Sequence, residues 1–292
     1  MKTYLDCIPC FYKQALVAAR KSGADEIQQK EIMDETARII PAFPLSRPPV
    51  EMARNIYGMI RERTGVEDPY RDEKLISNRM AMKVFPELRA RAAQSEDPLL
   101  AAVELAIAGN VIDYVSRDSI DLEGKLSEII HREEKSIQRE ISGDFDFERF
   151  RKDLGRAEKV LYLADNAGET AFDRILIERI NDTGRRKDVV YAVKGRPVIN
   201  DAVLEDALFC GLDKVARVIS SGSDVPGTVL SFCSEEFMEI FRDADIIISK
   251  GQGNFEALSG TSAPVYFLFL VKCPVIARHA GTSLGDVILR RG

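Results

Sequence analysis

The chain has little histidine, few cysteines and no long apolar run, and each scarcity removes a class of function. Its two histidines, His131 and His279, stand in no metal-ligand spacing, so neither a histidine-based zinc hydrolase nor a Ser-His-Asp triad finds support. Five cysteines are an odd number in a chain of 292 residues, which fits reduced thiols better than a disulfide framework. The longest apolar run, residues 265–271, is far shorter than the roughly 18 residues of a membrane span. Residues 1–6 also lack the basic-then-apolar pattern of a leader, so a cytoplasmic protein is expected. Basic excess is missing too. A formal charge of -6 and a pI near 5.3 argue against nonspecific binding to nucleic acid or to an anionic membrane. A small phosphorylated substrate stays compatible, because screening limits distant surface carboxylates to a range of about 8–10 Å.

What is present is enough apolar residue, 45%, for a proper core in one large or two ordinary domains. Residues 1–150 carry helical periodicity in segments 10–21, 27–40, 50–64, 72–94 and 98–115, broken by prolines at 41, 44, 48, 49, 69 and 98. They predict a helical bundle. From residue 151 the pattern alternates. Short apolar runs at 159–164, 189–193, 215–220, 245–249 and 265–271 predict strands, with a further one at 274–277, and helical patterns cover 171–181, 200–209 and 234–244. Such alternation predicts a mostly parallel, three-layer α/β/α sheet. Residues 284–291 fit a closing strand or a helix equally well.

Three predicted strand ends carry polar residues beside glycine. The first reads Asp165-Asn166-Ala167-Gly168-Glu169-Thr170 directly after a buried-type strand. Strand carboxyl ends are where open α/β sheets bind ligands, and acid and amide oxygens beside a helix start suit a hard cation with phosphate. The plainer alternative is that Asp165 or Thr170 caps the next helix. The second cluster, Lys194-Gly195-Arg196 to Asn200-Asp201, occupies the equivalent position, and parallel neighbours about 4.8 Å apart would bring Asp201 toward Asp165. Here too, capping by Asn200 or Asp201 and solvated surface cations are the alternative. The third, Lys250-Gly251-Gln252-Gly253-Asn254-Phe255-Glu256, has neither the third glycine of a dinucleotide fingerprint nor a Walker pattern, but it suits a phosphate clamp. Together Asp165, Asn166 and Asp201 make an oxygen-rich set that prefers Mg²⁺ or Mn²⁺ to zinc.

Two further patterns stand in the helical half. Asn110 and Asp113 share a helix face, and Gly109 beside them would cost about 1 kcal/mol in a helix, a sign of close packing or of approach to a ligand. Cys7-Ile8-Pro9-Cys10 has the spacing of half a zinc or redox site, without a second Cys-x-x-Cys to complete it.

Asp165-Asn166-Ala167-Gly168-Glu169, Asn200-Asp201-Ala202, Lys250 to Glu256 and Ala108-Gly109-Asn110-Val111-Ile112-Asp113 together resemble the damage-control phosphatase family, once called domain of unknown function 89. The cysteine pair, Thr64-Gly65 and Asp68-Pro69-Tyr70 resemble its smaller, prokaryotic-type branch. The resemblance implies a helical domain, 1–150, packed on a Rossmann-like α/β domain, 151–292, with one divalent metal ion (Mn, Mg, Co or Ni) between them. It implies Asp165, Asn166 and Asp201 as metal ligands and Lys250 as a contact to substrate phosphate. Asn110 and Asp113 would face the site, and Gly168 and Asn254 fall within the matching motifs as substrate-binding candidates. Sugar phosphates or damaged phosphometabolites are the implied substrates.

The expected chemistry is metal-assisted phosphomonoester hydrolysis, with Asp165, Glu169 and Lys250 as catalytic candidates. Ala167 stands where haloacid-dehalogenase-type phosphatases carry a second aspartate, which favours water over Asp165 as the nucleophile. Two other classes stay open: a non-catalytic binder of a phosphometabolite or nucleotide, and a methyltransferase on a similar sheet.

Overall fold

The computed structural model describes residues 1–115, 145–184 and 187–292, and of residues 110–115 the backbone alone. Five helices come first: α1 (Cys7–Lys21), α2 (Glu26–Ile39), α3 (Val50–Thr64), α4 (Arg71–Gln94) and α5 (Pro98–Val115). After α6 (Phe147–Arg156) follow β1 (Lys159–Leu163), α7 (Glu169–Asn181), β2 (Asp188–Val193), α8 (Leu204–Phe209), β3 (Arg217–Ser220) and α9 (Glu235–Asp243). The chain ends with β4 (Ile246–Lys250), α10 (Gly251–Leu258), β5 (Val265–Leu270), α11 (Pro274–Ala280) and β6 (Val287–Arg291).

Five strands are parallel in the order β3-β2-β1-β4-β5, and β6 closes the edge antiparallel to β5. The central strands are apolar at nearly every position, as a sheet covered on both faces requires. One face, with Tyr162, Tyr191, Ile248 and Leu268, packs under α4, α5, α6 and α7; the other, with Leu161, Val190, Ile247 and Phe267, packs under α9, α10 and α11. The direction of crossover reverses between β1 and β4, so the ends of these strands flank the crevice where such sheets bind ligands. No helix among the described residues is long and apolar enough to cross a membrane.

The helical half does not have a core of its own throughout. Helices α4 and α5 share one apolar cluster with the sheet, whereas α1 to α3 form a second cluster that takes in Val198 and Val275 from the α/β half. Gly109 is explained by this packing: a methyl group there would lie 3.1 Å from the ring of Phe172 on α7.

Two expectations change. Residues 274–277 begin helix α11 instead of a strand, because Pro274 sits at the first helical position, where its missing N–H costs nothing. The helix expected from residue 200 starts only at Leu204, with the Asp206 side chain accepting from Val203 N–H, so neither Asn200 nor Asp201 is its cap. The ambiguous last segment is a strand.

Candidate active site

Parallel pairing of β1 with β2 carries the two following loops side by side. There Asn166 and Asp201 form an antiparallel bridge: Ala202 N–H donates to Asp165 C=O at 2.8 Å and Ala167 N–H to Asn200 C=O at 2.9 Å. Sequence-distant Asp165, Asn166 and Asp201 are thereby locked together by backbone, all of them buried. The capping alternative for Asp165 and Thr170 does not hold, since α7 starts after Gly168 with no side-chain cap bond.

From Asp165 a hydrogen-bonded chain runs into the protein. Asn166 Nδ2 donates to Asp165 Oδ2 at 3.0 Å and to Glu169 Oε1 at 2.8 Å. The ammonium of Lys250, at the end of β4, donates to Glu169 Oε2 at 3.1 Å and to Asp173 Oδ1 at 2.7 Å. Asp173 also accepts from Tyr162 Oη at 2.6 Å and Tyr191 Oη at 2.8 Å, two tyrosines directly opposite each other on β1 and β2. Lys250 and Asp173 are fully buried and Glu169 almost so.

The electrostatics follow from this crowding. Burial, reinforced by the charges of Glu169 and Asp201, pushes the Asp165 carboxyl well above the usual carboxylate range. Burial also raises the Asp173 carboxyl, against the pull of Lys250. For Lys250 burial alone would favour the neutral amine, but Asp173 and Glu169 outweigh it and hold the ammonium charged. On the other flank Lys194, at the end of β2, is buried with its Nζ 3.5 Å from Asp201 Oδ2, while Arg196 is exposed. Lys194 is therefore part of the site and not a surface cation.

The remaining candidates take different places. The Gly168 N–H donates to Asn78 Oδ1 on α4 at 2.6 Å, and Asn78 Nδ2 donates to Asp206 Oδ1 at 2.7 Å, so the helical half grips the turn directly. Gly168 adopts φ +80°, and a methyl group there would stand 2.9 Å from Ser77 Cβ. The amide of Asn254 is engaged on both ends. Its Nδ2 donates to Ala164 C=O and Lys250 C=O, and its Oδ1 accepts from Thr228, which makes it a clasp between the ends of β1 and β4. The side chains of Asn110 and Asp113 lie outside the described residues, as does His131. The thiol of Cys7 is buried and held above its ordinary pKa chiefly by that burial, while Cys10 is exposed.

Asn78, Asp173 and Lys272 had no signal in the sequence that separated them from ordinary helix or loop residues. Lys272, beyond the end of β5, lowers the Asp165 pKa and so lies within electrostatic reach of it. Among the described residues no three His, Cys, Asp or Glu side chains are gathered closely enough to hold a metal by themselves. The donor set that fits a cation here is two carboxylates, Asp165 and Asp201, with the Asn166 carboxamide oxygen. Such a set is hard and incomplete, as suits an ion that keeps solvent or substrate oxygens among its ligands.

The fold is that of a doubly wound α/β protein, with a buried cluster of Asp165, Asn166 and Asp201 at its topological switch point. Residues 3–288 match the model of the damage-control phosphatase ARMT1-like domain. A damage-control phosphatase of Pyrococcus horikoshii is 34% identical, over 100% of this chain and 98% of the relative. A damage-control phosphatase of Archaeoglobus fulgidus is 32% identical, over 97% of each. The crystal structure of a DUF89 family protein from Pyrococcus horikoshii superposes with a TM-score of 0.88 at 33% identity, covering 100% of this chain and 99% of that one. The chain belongs to the damage-control phosphatase family.

Proposed function

We propose that the protein is a divalent-metal-dependent phosphatase acting on small phosphate monoesters, either sugar phosphates or damaged phosphometabolites. The observation that carries this reading is the Asn166–Asp201 bridge, which brings Asp165, Asn166 and Asp201 together at the switch point beside the buried Lys194. Family membership supports the reaction class.

In this reading Asp165, Asn166 and Asp201 hold one cation (Mn, Mg, Co or Ni). When bound, that ion supplies charge neutralisation of phosphate oxygens and acidifies water for in-line attack. The rest is done by the chain itself. Lys250, fully buried, directs its ammonium to Glu169 and Asp173 and acts on the phosphate through its charge. Its positive charge stabilises the negative charge spread over the equatorial oxygens. Glu169, held by Asn166 and Lys250, orients the attacking water on the same side. Asn254 and Gly168 act by shape: the first clasps the two strand ends, and the second lets the turn pass close to α4.

The test is phosphate release by chelator-stripped protein from p-nitrophenyl phosphate and a panel of sugar phosphates, with Mg²⁺, Mn²⁺, Co²⁺ and Ni²⁺ returned separately. Turnover that depends on added metal supports the reading, and the panel ranks substrates. A folded, metal-loaded protein that releases no phosphate from any of them contradicts it.

A further inference from the structure

Asn166 differs from the other two proposed ligands in having two unlike ends, and only the oxygen can bind a cation. Its orientation is set from the protein side. The Nδ2 amide is pinned by two carboxylate acceptors, Asp165 Oδ2 at 3.0 Å and Glu169 Oε1 at 2.8 Å, so Oδ1 is the end left for the ion. Glu169 is held in turn by Lys250, Lys250 by Asp173, and Asp173 by the hydroxyls of Tyr162 and Tyr191.

Every link is buried. Asp173 Oδ1 accepts two bonds, from Lys250 and Tyr162, and Oδ2 accepts one from Tyr191, so the carboxylate is fixed in plane and in rotation. The tyrosines are fixed by the sheet, where they form a register pair with ring centroids 5.3 Å apart. The chain thus starts on the rigid centre of the sheet and ends on a ligand atom.

We propose that Asp173 is a positioning residue for the cation site: through Lys250 and Glu169 it locks the Asn166 carboxamide with its oxygen toward the metal. The inference rests on the reading of Asn166 as a ligand. Partners beyond the immediate ligands commonly govern metal affinity in this way, and their loss costs about 10–100-fold. In Asp173→Asn the acceptor pair becomes one acceptor and one donor. The Lys250 ammonium loses a buried counter-charge in either amide orientation, which loosens its hold on Glu169.

The experiment measures Mn²⁺ affinity by electron paramagnetic resonance of free Mn²⁺, alongside the metal-free melting temperature, for wild type, Asp173→Asn and Tyr191→Phe. The expected result is a fall in Mn²⁺ affinity of about 10-fold for Asp173→Asn. Tyr191→Phe removes one bond and keeps the carboxylate; it gives a smaller fall in the same direction and carries the test should Asp173→Asn not fold. In an Asn166→Asp background, where the ligand has two equivalent oxygens, the Asp173→Asn effect shrinks. Unchanged affinity in folded variants, with only a lower melting temperature, overturns the inference and leaves the metal reading standing. Full additivity with Asn166→Asp overturns it as well. A wild-type protein that binds no Mn²⁺ overturns both.

Discussion

Gly251 leaves room for Asp165. The glycine opens α10 with φ +78°, and a methyl group in its place would overlap the Asp165 carboxylate. The end of β4 is therefore shaped around a side chain at the end of β1. Gly251→Ala should displace that carboxylate more than it unfolds the protein. Displacement by about 1 Å costs on the order of 100-fold in rate, whereas alanine in the left-handed region costs about 1–2 kcal/mol. Steady-state phosphate release together with urea unfolding separates the two.

Asn78 ties the helical half to the site turn. Asn78→Ala leaves the Gly168 N–H and the Asp206 carboxylate without this buried partner. Each unsatisfied group costs about 1–3 kcal/mol, so a loss of roughly 2–6 kcal/mol in urea unfolding is expected, together with reduced activity at temperatures where the variant is folded. A loss below about 0.5 kcal/mol, typical of surface changes, would show that the bonds add nothing.

Desolvation of its half-buried side chain pushes the carboxyl of Glu256 on α10 up to about 8, from an ordinary value of 4.5, against the pull of the Met1 ammonium. The native protein thus keeps this proton over a range where the unfolded chain has lost it. Native binding of more protons means that stability falls as pH rises from 4.5 through about 8. Glu256→Gln removes this dependence. Its melting temperature should match wild type near the low end of that range and exceed it above the high end, read by circular dichroism across pH.

How much of this was legible in the sequence depends on the range of the interaction. Strand ends were readable because an apolar run followed by Asp165-Asn166 or Lys250-Gly251 is a local signal, and α3 and α5 run over the expected residues. Lys194 was not readable as buried: its partner Asp201 sits beside it only because the loops after β1 and β2 bridge. Asn78 and Asp173 belong to helices whose local pattern looks ordinary, and their bonds to Gly168 and Lys250 span 90 and 77 residues. The segment at 274–277 reads as a strand because a four-residue apolar run does not distinguish strand from helix, and only the proline at its first position tips it.

The measurement that bears most directly on the central claim is metal-dependent phosphate release by Asp165→Ala beside wild type, at saturating Mn²⁺ and with both proteins folded by circular dichroism. Asp165 is the residue at which the bridge, the Asn166 amide and the end of β4 converge. The account predicts that wild type turns over substrate and that Asp165→Ala falls to the level of a chelator-treated sample. Equal metal-dependent turnover in the two proteins would contradict it and place the reaction elsewhere on the molecule.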